Sequence, residues 1–421
     1  MGDALFLAHR TPFPPDRGDR IRAYNFLRYI GARARVHLVA FSDGDEPVDH
    51  TALDALTASH TIVPRTKSNA RAAIEALATG RAVSVAAFDH PALRAAVSRV
   101  LATQPIDAIH VFSSALAQYL PTHTKARVVM DFCDVDSAKF GEYAREARGP
   151  KRWLCAREER RLLAFDRAIA RRADASLFVS DAEAALFAEI GGGGRVSVIE
   201  NGIDTELFDP AADFASVEAD GPLIVFTGQM DYQPNVAAVT WFATDILPIV
   251  RARHPDARFA IVGRAPTPAV QALAGEHVIV TGEVAEVRGW IAAAAAVVAP
   301  LRIARGIQNK VLEAMAMARP VVASTPAAEG IDHAGTLRTG ADANEIAREV
   351  IALLDDRVAG DLLGQAARAQ VQRRYGWEAR LQPLDALLGL QPNPVRAEPV
   401  EAHAPDTHFD TLSANGVGRR R

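Results

Sequence analysis

The stretch APLRIARGIQNKVLEAMAMARPVVAS, residues 299–324, contains a helix followed by a strand. Apolar side chains recur at helical spacing after Asn309, and Pro320 separates them from the apolar run at 321–323. Another short apolar run, 297–299, overlaps the start of the stretch. Short buried strands separated by helices are typical of a parallel sheet with helices on both faces, so this stretch predicts an α/β fold.

Lys310 places a cation in the first turn of this helix, where backbone N–H groups already carry partial positive charge. One interpretation is a local ion pair with Glu313, three residues along the helix. The other is an anion held at the helix start by loop amides, the helix dipole and Lys310 together. Arg302 and Arg305, just upstream, would add positive charge to such an anion site.

The bulk composition is that of a soluble globular enzyme with more than one domain. The 421 residues are too many for one ordinary core, and the net charge of −4 gives no reason to expect a nucleic-acid partner. Two cysteines cannot build a disulfide framework or a four-thiolate metal site, which indicates a reducing compartment. Because the sequence shows neither a signal peptide nor an apolar run of roughly 18 residues, we expect a cytoplasmic protein.

Strands and helices alternate in two series along the chain. In the first, strands are predicted at 5–8, 36–41, 106–111, 127–132, 175–179 and 196–199, and helices at 20–32, 91–101, 115–120 and 181–190. In the second, strands are predicted at 223–226, 258–262, 277–280 and 297–299, and helices at 236–253 and 285–295. The segment between them, 200–222, is rich in turn formers and acidic residues and predicts a hinge. We therefore expect two doubly wound, Rossmann-like domains, at 1–205 and 206–374, with ligand sites at the carboxyl ends of their strands.

The end of the chain has two parts. Residues 375–390 predict a terminal helix that packs back toward the N-terminal domain, and its apolar side chains are Trp377, Leu381, Leu384 and Leu387. Residues 391–421 contain four prolines and few large apolar residues, which is typical of a disordered tail.

The loop PPDRGDRIR, residues 14–22, follows the first strand and enters a helix. Gly18 allows a ligand to approach the backbone closely, and Asp19 is a candidate N-cap of the helix. The basic side chains make the loop a candidate site for an acceptor phosphate or a donor diphosphate, and helix capping with a solvated basic face is the alternative. These basic side chains are Arg17, Arg20 and Arg22.

Polar side chains also follow other strands of the first series. Ser113 comes where a doubly wound sheet presents side chains to a ligand, and a serine at this position is also a routine helix cap. His9 and His110 each end an apolar strand, a position that is more often structural than catalytic. Neither histidine has partners at metal-ligand spacing.

Motifs from both series resemble one enzyme family. VSVIENGIDTELFDP (196–210), IVFTGQMDYQPNVAAVTWF (224–242) and the opening stretch occur in the order found in family 4 glycosyltransferases of the GT-B fold. LFLAHRTPFPPDRGDRIRAYNFLRYI (5–30) and DFCDVDSAKF (131–140) resemble, more narrowly, the sugar transferases found with bacterial exopolysaccharide and PEP-CTERM/exosortase gene clusters. The resemblance covers roughly residues 4–390.

This resemblance implies two facing domains with a cleft between them, with a nucleotide-sugar donor on the C-terminal domain and an acceptor on the N-terminal domain. It implies transfer with retention of anomeric configuration, without a metal or another cofactor. The donor is expected to be of the UDP or GDP type, and the acceptor a lipid-linked glycan of exopolysaccharide biosynthesis.

The resemblance also answers the question about Lys310. The helix start is suited to hold the donor diphosphate, which Lys310 would neutralise as a point charge. Glu313, one turn along, would accept hydrogen bonds from the ribose hydroxyls. The expected donor-binding residues are Gly228, Gln229, Arg264, Glu283, Arg305, Gly306, Ile307, Gln308, Asn309, Lys310 and Glu313.

The chain departs from this family in two loops. Many relatives carry a sugar-contacting glutamate eight residues before the counterpart of Glu313, where this chain has Arg305. The Gly-Arg…Lys pair that grips phosphate after the first strand of the second domain is replaced by Gly228-Gln229 and Pro234. We expect other cations to restore the missing positive charge from the opposite side. The main one is expected to be Arg305, and Arg264 or Arg302 is expected to help it.

No catalytic residue follows from the resemblance. Asp134 and Asp136 form a D-x-D, the spacing by which another class of glycosyltransferase holds Mg²⁺ or Mn²⁺, but that class is built on one nucleotide-binding sheet. The alternative is that Asp131, Asp134 and Asp136 line the acceptor cleft or cap the next helix. Because the leaving phosphate can take the acceptor proton, an enzymic base is not required. The candidate catalytic residues are Asp134, Asp136, Ser113 and His110.

Residues 145–172 contain ten lysines and arginines against four acidic residues, interleaved with Trp153, Leu154 and Leu162. A basic amphipathic helix of this kind can lie on an anionic membrane, which would make the protein peripheral on the inner face of the cytoplasmic membrane. An ordinary surface helix with its apolar stripe inward is the alternative.

The sequence leaves three alternatives to sugar transfer to compare. A nucleotide-sugar epimerase or hydrolase on the same fold needs a catalytic acid pair in the cleft, and the sequence does not identify one. A non-catalytic partner of a polysaccharide assembly complex would not need to keep Lys310 and Glu313. A dinucleotide dehydrogenase is disfavoured, because neither domain has a G-x-G-x-x-G after its first strand.

Overall fold

The computed structural model describes residues 2–15, 17–44, 47–302, 304 and 307–390. Within these residues the chain forms two compact units, one made of 2–201 with 380–390 and the other of 202–379. Each unit has its own parallel sheet. The predicted tail at 391–421 lies outside the described residues, as do Arg305 and Gly306, two of the residues expected to bind the donor.

A seven-stranded parallel sheet forms the centre of the first unit. Its strands are β1 (Asp3–Ala8), β2 (Val36–Asp43), β3 (Ser59–Arg65), β4 (Ile106–Phe112), β5 (Arg127–Cys133), β6 (Ala175–Phe178) and β7 (Val196–Val198). They lie in the order β3-β2-β1-β4-β5-β6-β7, so the strand order reverses between β1 and β4. Open α/β sheets bind ligands at the carboxyl ends of strands beside such a point.

Helices connect these strands. They are α1 (Gly18–Gly31), α2 (His50–Leu56), α3 (Asn69–Thr79), α4 (Val83–Ala86), α5 (Pro91–Thr103), α6 (Asp136–Glu146), α7 (Gly149–Ala170) and α8 (Asp181–Glu189). A 3-10 helix, Ser114–Tyr119, stands where the sequence predicts a helix at 115–120.

The sequence prediction lacks β3 and the helices α2 to α4. β3 is an edge strand that contains Pro64, and Val63 is its one buried residue. Pro64 is tolerated there because an edge strand has a side without ladder hydrogen bonds. Neither an apolar run nor a regular alternation therefore marks this strand in the sequence.

The second unit has a six-stranded parallel sheet. Its strands are β8 (Leu223–Thr227), β9 (Arg258–Val262), β10 (Val278–Gly282), β11 (Ala296–Ala299), β12 (Val321–Ser324) and β13 (Arg338–Gly340). They lie in the order β10-β9-β8-β11-β12-β13, which puts the reversal between β8 and β11. Every residue of β8, β11 and β12 is buried, and these strands were predicted from their apolar runs.

The helices of the second unit are α9 (Gln233–Trp241), α10 (Leu247–Arg253), α11 (Pro268–Gln271), α12 (Arg288–Ala293), α13 (Asn309–Ala316), α14 (Thr325–Ala328), α15 (Ala343–Asp355) and α16 (Arg357–Arg374). The single helix predicted at 236–253 is interrupted by a π-helical turn, Phe242–Ile246. Pro248 follows that turn and has no N–H to donate, so a regular α-helix cannot continue through it.

Two short helices, α17 (Trp377–Leu381) and α18 (Pro383–Leu388), replace the predicted terminal helix. The Tyr29 hydroxyl donates to the Asp385 carboxylate at 3.1 Å, and the Arg127 guanidinium donates to the Ala386 carbonyl at 2.9 Å. These bonds attach residues 380–390 to the first unit. Among the helices of the described chain, none combines the length and the apolar character needed to cross a membrane.

Candidate functional site

Two glycines bring the loops after β8 and β9 into contact. Gly228 and Gly263 have φ angles of 151° and 147°, which side chains rarely adopt. A Cβ atom on Gly263 would lie 1.8 Å from the carbonyl oxygen of Gly228, and the Gly228 N–H donates to Val262 at 3.0 Å. Because both positions require glycine, the backbone at the carboxyl end of β8 carries no side chain that could block a ligand.

The ammonium of Lys310, in the first turn of α13, lies beside these glycines. Its Nζ donates to the Asn235 side-chain oxygen at 2.6 Å and lies 4.2 Å from the centroid of the Phe226 ring. The position of a Cβ on Gly228 is 3.0 Å from the same nitrogen. Within the described chain Lys310 has no salt bridge, so the local ion pair with Glu313 is not formed.

Burial changes the ionisation of both charged residues of α13. It lowers the pKa of Lys310 to about 7, and the charge of Glu313 opposes this shift only in part. It also raises the pKa of Glu313 to about 7, against the opposing effect of Lys310. A desolvated ammonium without a carboxylate partner is stabilised when an anion approaches, so this geometry favours an anionic ligand.

Asn235 is a residue of this site that the sequence analysis missed. It is buried near the start of α9, and its Nδ2 donates to the Gln229 carbonyl at 2.9 Å. Its amide therefore links the loop after β8 to Lys310. The Pro234-Asn235 pair in the first turn of α9 was the available signal, because asparagine near a helix start commonly bonds to loop backbone.

The structure brings together part of the predicted donor set. The Arg264 guanidinium donates to the Gln229 side-chain oxygen at 3.4 Å, and the Met230 N–H donates to the Arg264 carbonyl at 2.9 Å. Gly228, Gln229, Arg264 and Lys310 are thereby joined through hydrogen bonds and close contacts. The other described members are Ile307, Gln308 and Asn309 at the start of α13, Glu313 one turn along it, and Glu283, which is exposed directly after β10.

Arg302 has a different setting from the one predicted. Its guanidinium carbon lies 4.5 Å from the centroid of the Trp241 ring, a cation–π contact. The proposed help from Arg302 in holding a phosphate stays a prediction, as does the part given to Arg305.

In the first unit, the arginines of α1 are not a solvated basic face. Arg20 and Arg22 are each 1% exposed. Arg22 donates to both carboxylate oxygens of Asp131, at 2.8 and 3.0 Å, and to the Ile199 carbonyl at 2.9 Å. The expectations that Arg22 binds a phosphate and that Asp131 lines a cleft are therefore wrong, because the two charges neutralise each other inside the core.

Asp19 does not cap α1, whose N-cap position is taken by Arg17 without a side-chain bond. Hydrogen bonds from His9 at 3.3 Å and Arg10 at 2.5 Å hold the pKa of Asp19 well below its usual range, although burial acts in the opposite direction. Arg10 also donates to Asp43 at 2.5 Å. Arg10, which the sequence analysis missed, thus connects the carboxylate of Asp19 in the first turn of α1 with that of Asp43 at the end of β2.

Gly18, the first residue of α1, has open space where a Cβ would be. Packing therefore does not explain glycine at this position. Its predicted part in a phosphate or acceptor loop, together with Arg17, Asp19 and Arg20, stays a prediction.

Two catalytic candidates lie around the end of β4. His110 is 1% exposed, with ring centroids of Phe6 and Phe26 at 4.7 and 5.1 Å, and burial lowers the pKa of its imidazole to about 4. This environment is that of a core residue. Ser113 precedes the 3-10 helix, but its side chain makes no capping bond.

The D-x-D carboxylates have a protein cation as their partner. Asp134 and Asp136 accept hydrogen bonds from the Lys139 ammonium at 2.9 and 3.0 Å. Neither caps α6, because Val135 takes the N-cap position and has no side-chain acceptor. Within the described residues, no group of three or more His, Cys, Asp and Glu side chains is arranged to hold a metal ion.

Two family models match the sequence, each over one of the two series of strands. The model described as Glycosyltransferase Family 4 matches residues 18–207, and the model described as Glycosyl transferases group 1 matches residues 221–356. No curated protein sequence matches the chain.

Solved structures of glycosyltransferases are similar to the chain over nearly its whole length. Sucrose-phosphate synthase from Thermosynechococcus elongatus is 19% identical over 91% of this chain and 98% of its own, with a TM-score of 0.53. HepE of Anabaena, solved with UDP-glucose, is 17% identical over 92% and 100%, with a TM-score of 0.53. WaaG, a glycosyltransferase involved in lipopolysaccharide biosynthesis, is 14% identical over 92% and 100%, with a TM-score of 0.52.

At these identities the structural likeness shows the fold, and the two family models show the enzyme class. Together they confirm the predicted fold and class, whereas the association with PEP-CTERM/exosortase gene clusters stays a prediction. The chain is a family 4 glycosyltransferase of the GT-B fold.

Proposed function

We propose that the enzyme transfers a sugar from a nucleoside diphosphate sugar of the UDP or GDP type to a lipid-linked glycan in exopolysaccharide biosynthesis, with retention of configuration and without a metal. The main support for the donor site is the setting of the Lys310 ammonium at the start of α13. This ammonium donates to a side-chain amide rather than to a carboxylate. The similar structure of HepE, which was solved with UDP-glucose, agrees with a donor of this class.

In this proposal the diphosphate lies against the N–H groups at the start of α13 and beside Lys310. Negative charge grows on the diphosphate as the glycosidic bond breaks, so an ammonium at this point stabilises the transition state more than the bound donor. Lys310 would thereby supply the positive charge that a metal ion supplies in other transferases. Glu313 would accept hydrogen bonds from the ribose.

Retention requires the acceptor oxygen to bond to the anomeric carbon on the face from which the diphosphate leaves. The acceptor O–H then gives its proton to the leaving phosphate oxygen, so the step balances without an enzymic base. The setting of the catalytic candidates agrees with this route, because His110 is enclosed in the core and Asp134 and Asp136 both bind Lys139.

Calorimetry with UDP and with GDP, in the presence of EDTA, tests the donor site. We expect one nucleotide to bind, and Glu313→Ala to weaken its binding about tenfold, because hydrogen bonds contribute about 0.5–1.5 kcal/mol each. Glu276→Ala, which removes an exposed glutamate of the same unit, is the matched control and should bind like the wild type. Binding that needs added Mg²⁺ would contradict metal independence, and absence of binding in both conditions would contradict the donor site.

The end of α6 and the start of α7 support a membrane location for the acceptor. Trp153 is 56% exposed and Tyr143 is 45% exposed, although both are large hydrophobic residues. Further along the helix Leu162 and Ile169 are buried, so the candidate surface is shorter than the predicted 145–172. We call it the basic aromatic patch, and its residues are Tyr143, Arg145, Arg148, Lys151, Arg152, Trp153 and Leu154, all exposed.

Aromatic side chains favour the interface of a bilayer, and cations favour anionic headgroups, so this patch fits an anionic membrane surface. We expect the protein to bind phosphatidylcholine vesicles only when they contain phosphatidylglycerol, and to be released by salt. Lys151→Gln with Arg152→Gln should weaken binding about 30-fold, since each cation near such a surface contributes about 1 kcal/mol. Flotation assays measure this.

Arg99→Gln with Lys125→Gln removes the same charge from exposed positions of the same unit, and this control should bind like the wild type. Equal binding to neutral and anionic vesicles would show that the patch does not recognise anionic lipid.

A further inference from the structure

The Asn235 amide is held at both of its polar atoms. Its oxygen accepts the hydrogen bond from Lys310 at 2.6 Å, and its nitrogen donates to the Gln229 carbonyl at 2.9 Å. Turning the amide over would break both bonds and place two donors against the ammonium. The oxygen is therefore fixed toward Lys310, and the lysine is fixed over the loop after β8.

We propose that Asn235 is a positioning residue for sugar transfer, which holds the Lys310 ammonium beside the donor diphosphate and leaves its charge for the diphosphate to neutralise. This inference rests on the proposed donor site. It gives a specific part to Asn235, at the start of α9, beside a loop in which the sequence lacks the two phosphate-gripping cations of many relatives.

The choice of an amide over a carboxylate has a physical reason. A carboxylate within hydrogen-bond distance would neutralise Lys310 permanently, and the diphosphate would then have to compete with it. An amide oxygen accepts the same hydrogen bond without a formal charge, and the Phe226 ring adds a second uncharged contact. The ammonium is thus positioned while its charge stays available.

Among the described residues, four other charged groups belong to the elements around Lys310. They are Glu313 on the same helix, Arg302 on the loop before it, Arg264 on the loop after β9, and the exposed Asp231 on the loop after β8. Arg264 donates to the Gln229 side chain, and Glu313 is the one carboxylate that shifts the ionisation of Lys310. Because Glu313 titrates in the same range, its effect is removed by making each variant also in a Glu313→Gln background.

Nucleotide binding should then be coupled to protonation of Lys310. With its pKa lowered to about 7, Lys310 loses charge above that pH in the free enzyme, and a bound diphosphate raises the pKa again. Binding above about pH 7 therefore requires proton uptake, and affinity should fall by up to about tenfold per pH unit. The phosphate, with a second pKa of about 6, stays ionised over this range.

Asn235→Asp tests the proposal, by calorimetry with the nucleotide that the wild type binds, from about pH 7 to about pH 9. We expect at least about tenfold weaker binding at pH 7 and little pH dependence, because the new carboxylate keeps Lys310 charged and neutralised. Asn344→Asp adds the same charge at an exposed position of α15 and should leave affinity and pH profile unchanged. An Asn235→Asp profile identical to the wild type would overturn the proposal.

A direct readout of the lysine keeps the proposal testable if Asn235→Asp binds no nucleotide. Acetic anhydride acylates a lysine only through its neutral amine, so the extent of Lys310 acylation at each pH, measured by peptide mass spectrometry, reports the ionisation of this residue. The pH midpoint of Lys310 acylation should lie near 7 in the wild type and about 1–3 pH units higher in Asn235→Asp. In the wild type, bound nucleotide should abolish the acylation in this pH range. An unchanged midpoint would overturn the positioning role.

Failure of the donor site itself would look different. In that case the wild type would bind neither UDP nor GDP, whatever the residue at 235. If Asn235→Asp does not fold, Asn235→Ala takes its place: it removes the anchor without adding charge, so affinity should fall while the dependence on pH persists. Full affinity in Asn235→Ala would overturn the proposal.

Discussion

Lys310→Met is expected to lower kcat/KM for sugar transfer by about 10²–10³-fold, the loss seen when one preorganised donor is removed from a developing oxyanion. The unbranched methionine side chain keeps most of the contact with Phe226 and Gly228 while it removes the charge. Folding should lose no more than about 1–3 kcal/mol, because the Asn235 oxygen loses its donor whereas no carboxylate is left without a partner. A coupled assay of nucleoside diphosphate release checks the loss of kcat/KM. The thermal midpoint of unfolding checks the effect on folding.

Lys125→Met is the matched control, because this exposed lysine belongs to the other unit and takes no part in the proposed donor site. Lys310→Arg, which keeps the charge but not the shape, should recover part of the activity. If Lys310→Met retained activity within a few-fold of the wild type, the ammonium could not be the group that stabilises the leaving diphosphate.

The second large effect concerns stability. Arg22→Met is expected to destabilise the first unit by about 3–5 kcal/mol, since it leaves the Asp131 carboxylate buried without its partner. Asp131 is fully buried, and Arg22 also bonds to the Ile199 carbonyl, so the substitution leaves more than one polar group unsatisfied. Urea unfolding followed by circular dichroism measures the change in the free energy of unfolding.

The double variant Arg22→Met with Asp131→Leu removes both charges and should regain most of the lost stability, because an apolar pair of similar volume often replaces a buried ion pair without cost. Arg99→Met removes an exposed arginine and should change the free energy of unfolding by less than about 0.5 kcal/mol. A double variant as unstable as Arg22→Met would show that the loss comes from packing rather than from the unpaired charge.

The central strands could be predicted from the sequence because burial on both faces requires a run of apolar residues. β8, β11 and β12 are such runs, and the structure places them where they were predicted. Two of the four edge strands, β7 and β10, were also predicted, whereas β3 and β13 were missed. Each of the two missed strands has one buried residue, so neither shows an apolar run. The π-helical turn at Phe242–Ile246 was also missed, although Pro248 marks the place where a regular helix must be interrupted.

The donor site could be predicted only in part. Lys310 stood out because a cation at a helix start is locally unfavourable, and that conflict is visible within a few residues. Asn235 carries no comparable conflict, and its partner lies 75 positions away in the chain. Arg10 was missed for the same reason, because its contact with Asp43 spans 33 positions.

The sequence by itself determined the alternation of strands and helices, the two series, and the helix start that carries Lys310, because the periodicity of apolar residues and the rules of helix termini act over a few residues. Only the tertiary structure decided which charges are neutralised. Arg17, Arg20 and Arg22 look alike in the sequence, yet the fold buries Arg22 against Asp131, 109 positions away. It leaves Lys310 with an uncharged partner, because burial and the pairing of charges depend on which distant segments the sheets bring together.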